Sequence, residues 1–402
     1  MLKSIRCLAL VFAIVLFVGL SPAPSCGCPF CTQQGPTLTK ELGQAAFVVF
    51  GTLSNPQLKE LADGTQVGTT DMQIDEVIKD HPFLKGKKSL VLPRYLPALD
   101  PQAKVKFLVY CDVFKDRFDP YHGVPCKSDD MVKYLRGASG LDEKDITKRL
   151  TYFFDYLDHP EQDINLDAYR EFANADYQDI LKAVQGSDRG KWREKLVKWL
   201  HDRETPTYRF GLYGYLLGLF GKPEDGEVLL ELLNDPQRGL ISGIDGVLAG
   251  LVTLKPKEGW QYVVGILSDP SKEVIRRYAA LRTARFFWDY RSDIIARPEL
   301  LKGVVCLLDQ SDVADFAIDD LRKWQQWQYT DKILELYDKK GYDVPIIRRA
   351  IVRYALSCPN TYPKVAPFLA ELRRTNPSLV KDVEELLKLE TPAPAPTPSK
   401  KP

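Results

Sequence analysis

Histidine and methionine are scarce in this chain, four and three among 402 residues, and an excess of one charge is missing: 55 Lys and Arg stand against 54 Asp and Glu. A formal net charge of +1 lacks the electrostatic footprint of a nucleic-acid binder. From Ser128 onward basic and acidic residues stay nearly balanced, so no nucleic-acid partner is expected. Long apolar runs are lacking too. Leu8–Leu20 falls short of the about 20 residues that span a hydrocarbon core. No transmembrane helix is therefore expected in the mature chain. Catalytic signatures are thin: there is no H-E-x-x-H, no G-x-S-x-G, no P-loop and no G-x-G-x-x-G after a strand. His81 precedes Pro82 in a loop, His122 sits in Pro-Tyr-His-Gly, and His159 and His201 sit at helix breaks, where turn and capping roles outnumber base or ligand roles. The expectation is a protein that is not an enzyme and has no cofactor and no metal.

What is present is apolar material, 45% of the residues, in a length that predicts two or three domains at about 100–200 residues each. This excludes a disordered chain, a collagen and a multi-span membrane protein. Lys3 and Arg6, the run Leu8–Leu20, and then Pro22, Ala23, Pro24 and Ser25 follow the order of a secretory signal cut just before Cys26. Residues 1–25 are assigned to that signal, and the protein is expected to be exported, either periplasmic or secreted. A lipid anchor at Cys26 is the less favoured outcome, because the bacterial lipobox wants Leu where Ala23 stands.

Loss of Cys7 with the signal leaves Cys26, Cys28, Cys31, Cys111, Cys126, Cys306 and Cys358. The first five crowd the N-terminal region and are the disulfide candidates for an oxidising compartment, with their pairing open. Cys28-Pro29-Phe30-Cys31 resembles the glutaredoxin active-site tetrapeptide. A redox pair, however, follows a strand and opens a helix, and here only the signal precedes it. A structural disulfide is expected, and a thiol-disulfide oxidoreductase using Cys28 and Cys31 is the alternative. Zinc held by these cysteines and His122 lacks a second C-x2-C pair.

Residues 26–127 read as a small β domain. Ala46–Ser54 is β-branched and aromatic, Thr70–Ile78 alternates with period two, and Lys88–Leu92 and Val105–Val113 supply two more strands. Four or five strands suggest a small barrel or sandwich. With its Cys26-Gly27-Cys28 start, the strand at Phe47–Thr52, the strand at Ile74–Lys79 and the Cys111 strand, this region resembles the netrin-type OB barrel of tissue inhibitors of metalloproteinases. The resemblance covers about a quarter of the chain, and Cys31 comes earlier than the family's third cysteine. It implies protease inhibition through the free amine and carbonyl of Cys26.

Residues 128–141 read as a linker, and over 142–390 the period becomes helical. Six hairpin-like units recur at Tyr152–Ala173, Val197–Phe220, Val228–Val252, Tyr262–Phe286, Val304–Trp324 and Ile333–Leu356. Steps of roughly 30–45 residues suit stacked helix pairs. Proline in most breaks stops one helix and lets the next begin. Tyr262–Arg285 resembles a HEAT repeat, with an apolar helix, an Asp269-Pro270 turn, and Val274, Arg277, Ala279 and Ala280 in the second helix; Asp269 is positioned to cap that helix. The resemblance covers over half the chain and implies an α-α solenoid. Residues 391–402 form a proline-rich tail expected to be disordered.

In a solenoid the second helices line the concave face. Arg276, Arg277, Arg282 and Arg285, then Arg348, Arg349 and Arg353, with Tyr278 and Trp288 among them, make a candidate strip of hot-spot residue types. The functional expectation is an exported binding scaffold that engages a protein or peptide partner there.

Overall fold

A computed structural model describes residues 27–96, 106–115, 117–238, 242–359 and 361–390. Residues 1–25, read above as a secretory signal, Cys26 and residues 391–402 lie outside the described residues. Contacts divide the chain into two compact units. Unit one holds the chain up to Pro29 and Gln33–Ser187, and unit two holds Phe30–Thr32 and the chain from Asp188.

Unit one opens with α1 (Leu38–Gln44) and then forms β1 (Phe47–Glu60), β2 (Gln66–Lys79), β3 (Ser89–Leu92), β4 (Lys106–Phe114) and β5 (Arg117–Cys126). These make one antiparallel sheet in the order β3-β2-β1-β4-β5. The central position of β1 explains its unbroken buried run Phe47–Phe50, since it is covered on both faces. Phe47, Val49, Met72, Leu90, Val109 and Cys111 form the core on one face. On the other, Tyr110 donates its hydroxyl to the carbonyl of Leu38 in α1, at 3.1 Å. Between Ser54 and Gln57 the β1–β2 register slips at Asn55, whose φ is 51°. Past that bulge β1 pairs only with β2, in a hairpin that exposes Leu58, Leu61 and Val67.

The helices of unit one are α2 (Asp130–Ser139), α3 (Ile146–Phe154), α4 (Gln162–Asn174) and α5 (Tyr177–Gly186). The segment expected as a linker is therefore mostly helix α2, anchored by buried Met131, Tyr134 and Leu135. The first of the six helix pairs, α3 with α4, belongs with the sheet. The reason is a set of buried hydrogen bonds. Asp167 of α4 accepts from the backbone N–H of Leu38 at 2.6 Å and from the Tyr134 hydroxyl at 2.8 Å.

Unit two contains α6 (Arg189–His201), α7 (Phe210–Phe220), α8 (Gly226–Asn234), α9 (Ile244–Leu254), α10 (Pro256–Ser268), α11 (Val274–Tyr290), α12 (Arg297–Val305), α13 (Ala314–Lys323), α14 (Thr330–Glu335), α15 (Pro345–Ser357), α16 (Val365–Thr375) and α17 (Pro377–Glu390). Pro256, Pro298, Pro345 and Pro377 sit in first turns, where their missing N–H costs nothing. Neighbours in sequence pack as pairs, and alternate helices also touch: α7 with α9, α9 with α11, α13 with α15, α15 with α17. Between α11 and α13 the rings of Tyr278 and Phe316 lie 4.8 Å apart. The closest approach is α7 on α9, where Gly211, Gly214 and Gly218 face Gly243, Gly246 and Gly250 with the same spacing. A Cβ on Gly246 would stand 2.1 Å from the Gly211 carbonyl oxygen, and one on Gly250 2.1 Å from that of Gly214. The absence of side chains there lets the two backbones touch.

Candidate functional site

The arginines of α11 and α15 divide into two groups. Arg277 is buried; its Nε donates to the Lys272 carbonyl at 2.9 Å and its Nη1 to Gln310 Oε1 at 2.7 Å and Asp312 Oδ1 at 2.9 Å. Its Nη2 completes a two-pronged pair on Asp312 Oδ2. Arg285 Nε donates to Asp320 of α13 at 2.8 and 2.9 Å, and its guanidinium lies over the Tyr278 ring. Arg282 stands 3.0 Å from buried Asp245 of α9, an ion pair not aligned as a hydrogen bond. Arg353 lies 3.4 Å from Glu390 and 3.7 Å from Asp319. Arg348 lies over the Tyr337 ring at 5.2 Å, and Trp288 stacks on Trp324 at 4.2 Å with Arg297 over it. Most of the expected strip is thus committed within the protein. A guanidinium taken partly out of water is stable only when a carboxylate or carbonyl answers it, and the neighbouring helices supply those groups.

Their acid partners were only half legible in the sequence. Asp312, Asp315, Asp319 and Asp320 lie close together in the sequence, and Asp319 pairs with Lys323 four residues on at 2.7 Å. Asp245 gives no local signal, because its partner lies on another helix. Burial pushes the Asp320 carboxyl up to about 6, against the pull of Arg285, and burial likewise raises Asp245. The Arg277 fork holds Asp312 below the usual carboxylate range. Asp269 does not cap α11: its carboxylate accepts from Ser271 N at 2.9 Å inside the turn, and the residue before the helix is Glu273.

Arg349 is exposed, and Arg276 is partly so: it donates to the Leu233 carbonyl at 3.4 Å and lies 4.0 Å from Glu273. Beside them, the starts of α11 and α15 show four aliphatic side chains to solvent, Val274, Ile275, Val344 and Ile346, the last 61% exposed. At the α11 start a cavity of about 540 Å³ is lined by Tyr262, Ile266, Ser271, Lys272, Glu273 and Arg276. The sequence pattern favoured the paired arginines over these aliphatics because it registers residue type and not exposure.

Among the cysteines, Cys28 and Cys31 are joined in a disulfide and both are buried, at 1% and 6% exposure. The residue of that tetrapeptide with the largest packing role is Phe30. Its buried ring sits 5.2 Å from Tyr215 of α7 and 4.9 Å from Phe286 of α11. Cys111 and Cys126 correct the expectation of a wider framework, since both are free and buried. Cys126 pairs across from Lys106, five positions along β4 from Cys111. That is about 17 Å at about 3.4 Å per residue, well beyond the reach of a disulfide. His122 serves Glu41, Nδ1 to Oε2 at 2.6 Å, and the disulfide takes Cys28 and Cys31 out of any zinc set. Among the described residues no cluster of three or more His, Cys, Asp and Glu is placed to hold a metal ion. The Nδ1 atoms of His81 and His159 accept backbone N–H bonds two residues ahead, a turn role. In comparisons with known proteins, no family model, no curated protein and no solved structure matches the chain.

Proposed function

We propose that this protein is an exported, non-enzymatic binding scaffold, an OB-like β module followed by a HEAT-like helical array that engages a protein or peptide partner. The OB-like reading is supported by the strand order, which is that of a five-stranded barrel opened between β3 and β5. An ion pair at 2.9 Å from Arg94, just after β3, to Asp119 of β5 spans that opening. The HEAT-like reading is supported by packing within unit two, where helices pair in sequence and alternate helices stack on one another.

One observation carries the binding assignment: the starts of α11 and α15 each place exposed aliphatics beside an arginine, Val274 and Ile275 with partly exposed Arg276 in one case and Val344 and Ile346 with exposed Arg349 in the other. Such pairing of apolar area with arginine is the composition of interface cores. The partner surface is accordingly assigned to this rim, and Arg277, Arg282, Arg285 and Arg353 hold the array together behind it. The thiol-disulfide reading loses weight because both sulfurs of the Cys28–Cys31 pair are shielded from substrate. The inhibitor reading depends on Cys26, which lies outside the described residues. A photo-crosslinking residue placed at Ile346 tests the assignment. It is expected to capture a discrete partner in the native envelope, and a probe at exposed Leu389 is expected not to.

A further inference from the structure

Beneath α1 in unit one, two cavities of about 860 and about 230 Å³ share Thr39, Gly43, Glu143 and Arg149 and so form one groove. Its larger end is polar, lined by Thr37, Lys40, Gln44 and Asn174. The smaller end is the more apolar, with Leu42, Ile78, Ala138 and Leu141 beside Lys79 and Ser139. Arg149 of α3 stands where the two ends meet.

Three observations bear on what fits. Arg149 is mostly buried, at 14% side-chain exposure, yet its one hydrogen bond to an acid, Nη2 to Glu171 Oε2, is long at 3.4 Å. A guanidinium carries five donors, so most of its capacity is uncommitted, and its planar fork matches a carboxylate. Second, Glu171 is already engaged from the other side by the Thr39 hydroxyl. Lys79 closes the end of α1 through the Leu42 and Gly43 carbonyls, at 3.0 and 2.8 Å. Lys40, Lys79 and Arg149 against Glu143 and Glu171 leave the groove one positive charge in excess, which favours an anion. Third, the smaller end has room for one aliphatic side chain, and the larger end offers the Gln44 amide and Asn174 Oδ1, since the Thr37 and Thr39 hydroxyls are held within α1 and by Glu171 and the Asn174 amide N–H by the Gly35 carbonyl. An alkyl tail there would strip those groups of water without replacing the lost bonds, whereas a peptide backbone replaces them.

We infer that this groove binds the C-terminal carboxylate of a peptide ending in Val, Leu or Ile. The carboxylate meets Arg149 and Lys40, the last side chain fills the Leu42–Ile78–Leu141 end, and the preceding backbone runs along Gln44 and Asn174. This site belongs to unit one and is independent of the helical rim proposed above.

The test uses the full mature chain and calorimetric or NMR titration with N-acetyl-Ala-Ala-Leu, its C-terminal amide, and octanoate. The free acid is expected to bind, and the amide and octanoate are not. Arg149→Met is expected to weaken binding about tenfold or more, the loss of a charge-assisted pair. Lys40→Gln, an exposed change that leaves the packing of α3 on α4 alone, is expected to weaken it about threefold. Equal binding of acid and amide, no binding of the acid at millimolar concentration, or unchanged affinity in both variants would overturn the assignment. Binding of octanoate in preference to the peptide overturns it as well, and points to free aliphatic acids.

Discussion

The guanidinium of Arg277 donates to both carboxylate oxygens of Asp312, with Nη1 and Oδ1 2.9 Å apart, and so ties the start of α11 to the residues before α13. The two ends of this pair differ in exposure: the arginine side chain is 3% exposed and the aspartate 51%. Removing the acid therefore strands a buried cation, while removing the cation lets the acid return to water.

Asp312→Asn is expected to cost about 1.5–3 kcal/mol at neutral pH, the range for a hydrogen bond to a charged group, because the acid is half exposed and Arg277 keeps the Lys272 carbonyl and Gln310. The carboxyl of Asp312 is lowered in the folded state, so its contribution is present above its ordinary value near 3.8 and is lost as pH falls through the lowered one. Urea unfolding at pH 7 and in strong acid checks both points. The gap between parent and variant should shrink in acid.

The glycine contact of α7 with α9 makes a sharper contrast. Gly246→Ala or Gly250→Ala pushes a methyl group into a facing backbone carbonyl and should destabilise by about 2–3 kcal/mol or more. Gly265→Ala in the middle of α10 meets nothing within 4 Å and should stabilise by about 0.5–1 kcal/mol through helix propensity. Thermal unfolding of the three variants should rank them in that order.

Burial pushes the Asp167 carboxyl up to about 7, despite hydrogen bonds from Leu38 and Tyr134 that favour its ionised form. In the unfolded chain it ionises near 3.8, so this group's contribution to stability is full below that value. It falls as pH rises from there to about 7, by up to ~4 kcal/mol. Asp167→Asn should therefore gain stability over the parent at pH 8 and lose that advantage at pH 4. A denaturation series across this window measures it.

Burial also pushes the Cys111 and Cys126 thiols up to about 12. Maleimide labelling followed by mass spectrometry is expected to leave both unmodified in the native protein and to label them only after unfolding. Cys28 and Cys31 should remain unlabelled in both states until a reductant is added.

Much of the fold is legible in the sequence where burial and periodicity agree. The run Phe47–Phe50 and the alternation through Met72 and Ile74 lie in β1 and β2, and the six hairpin-like units each overlap two helices, three of them by only two or three residues of the first. Strand β5 is harder to read. It carries Pro120, Gly123 and Pro125, residues tolerated there because β5 is an edge strand. The division of the chain is hidden for a different reason. Helices α3 and α4 share the period of those that follow, and contacts between residues far apart in sequence, such as Asp167 with Leu38 and Glu171 with Thr39, assign them to unit one. The arginine strip was visible as composition, but whether each arginine faces solvent or an aspartate on another helix depends on tertiary packing. Phe30 illustrates the same limit: its neighbours Cys28 and Cys31 attract notice, while its seat between Tyr215 and Phe286 leaves no local trace.

The central claim is that the rim formed by the starts of α11 and α15 binds the partner. Its most direct test is a quantitative crosslinking pull-down from the native cells, comparing the parent chain with the double variants Ile275→Glu/Arg276→Glu and Ile346→Glu/Arg349→Glu. All four positions lie on the rim, so the variants are expected to keep the parent's unfolding midpoint. The account predicts that a discrete partner captured by the parent is lost from both variants. Recovery of the same partner at the same yield by both variants would contradict it.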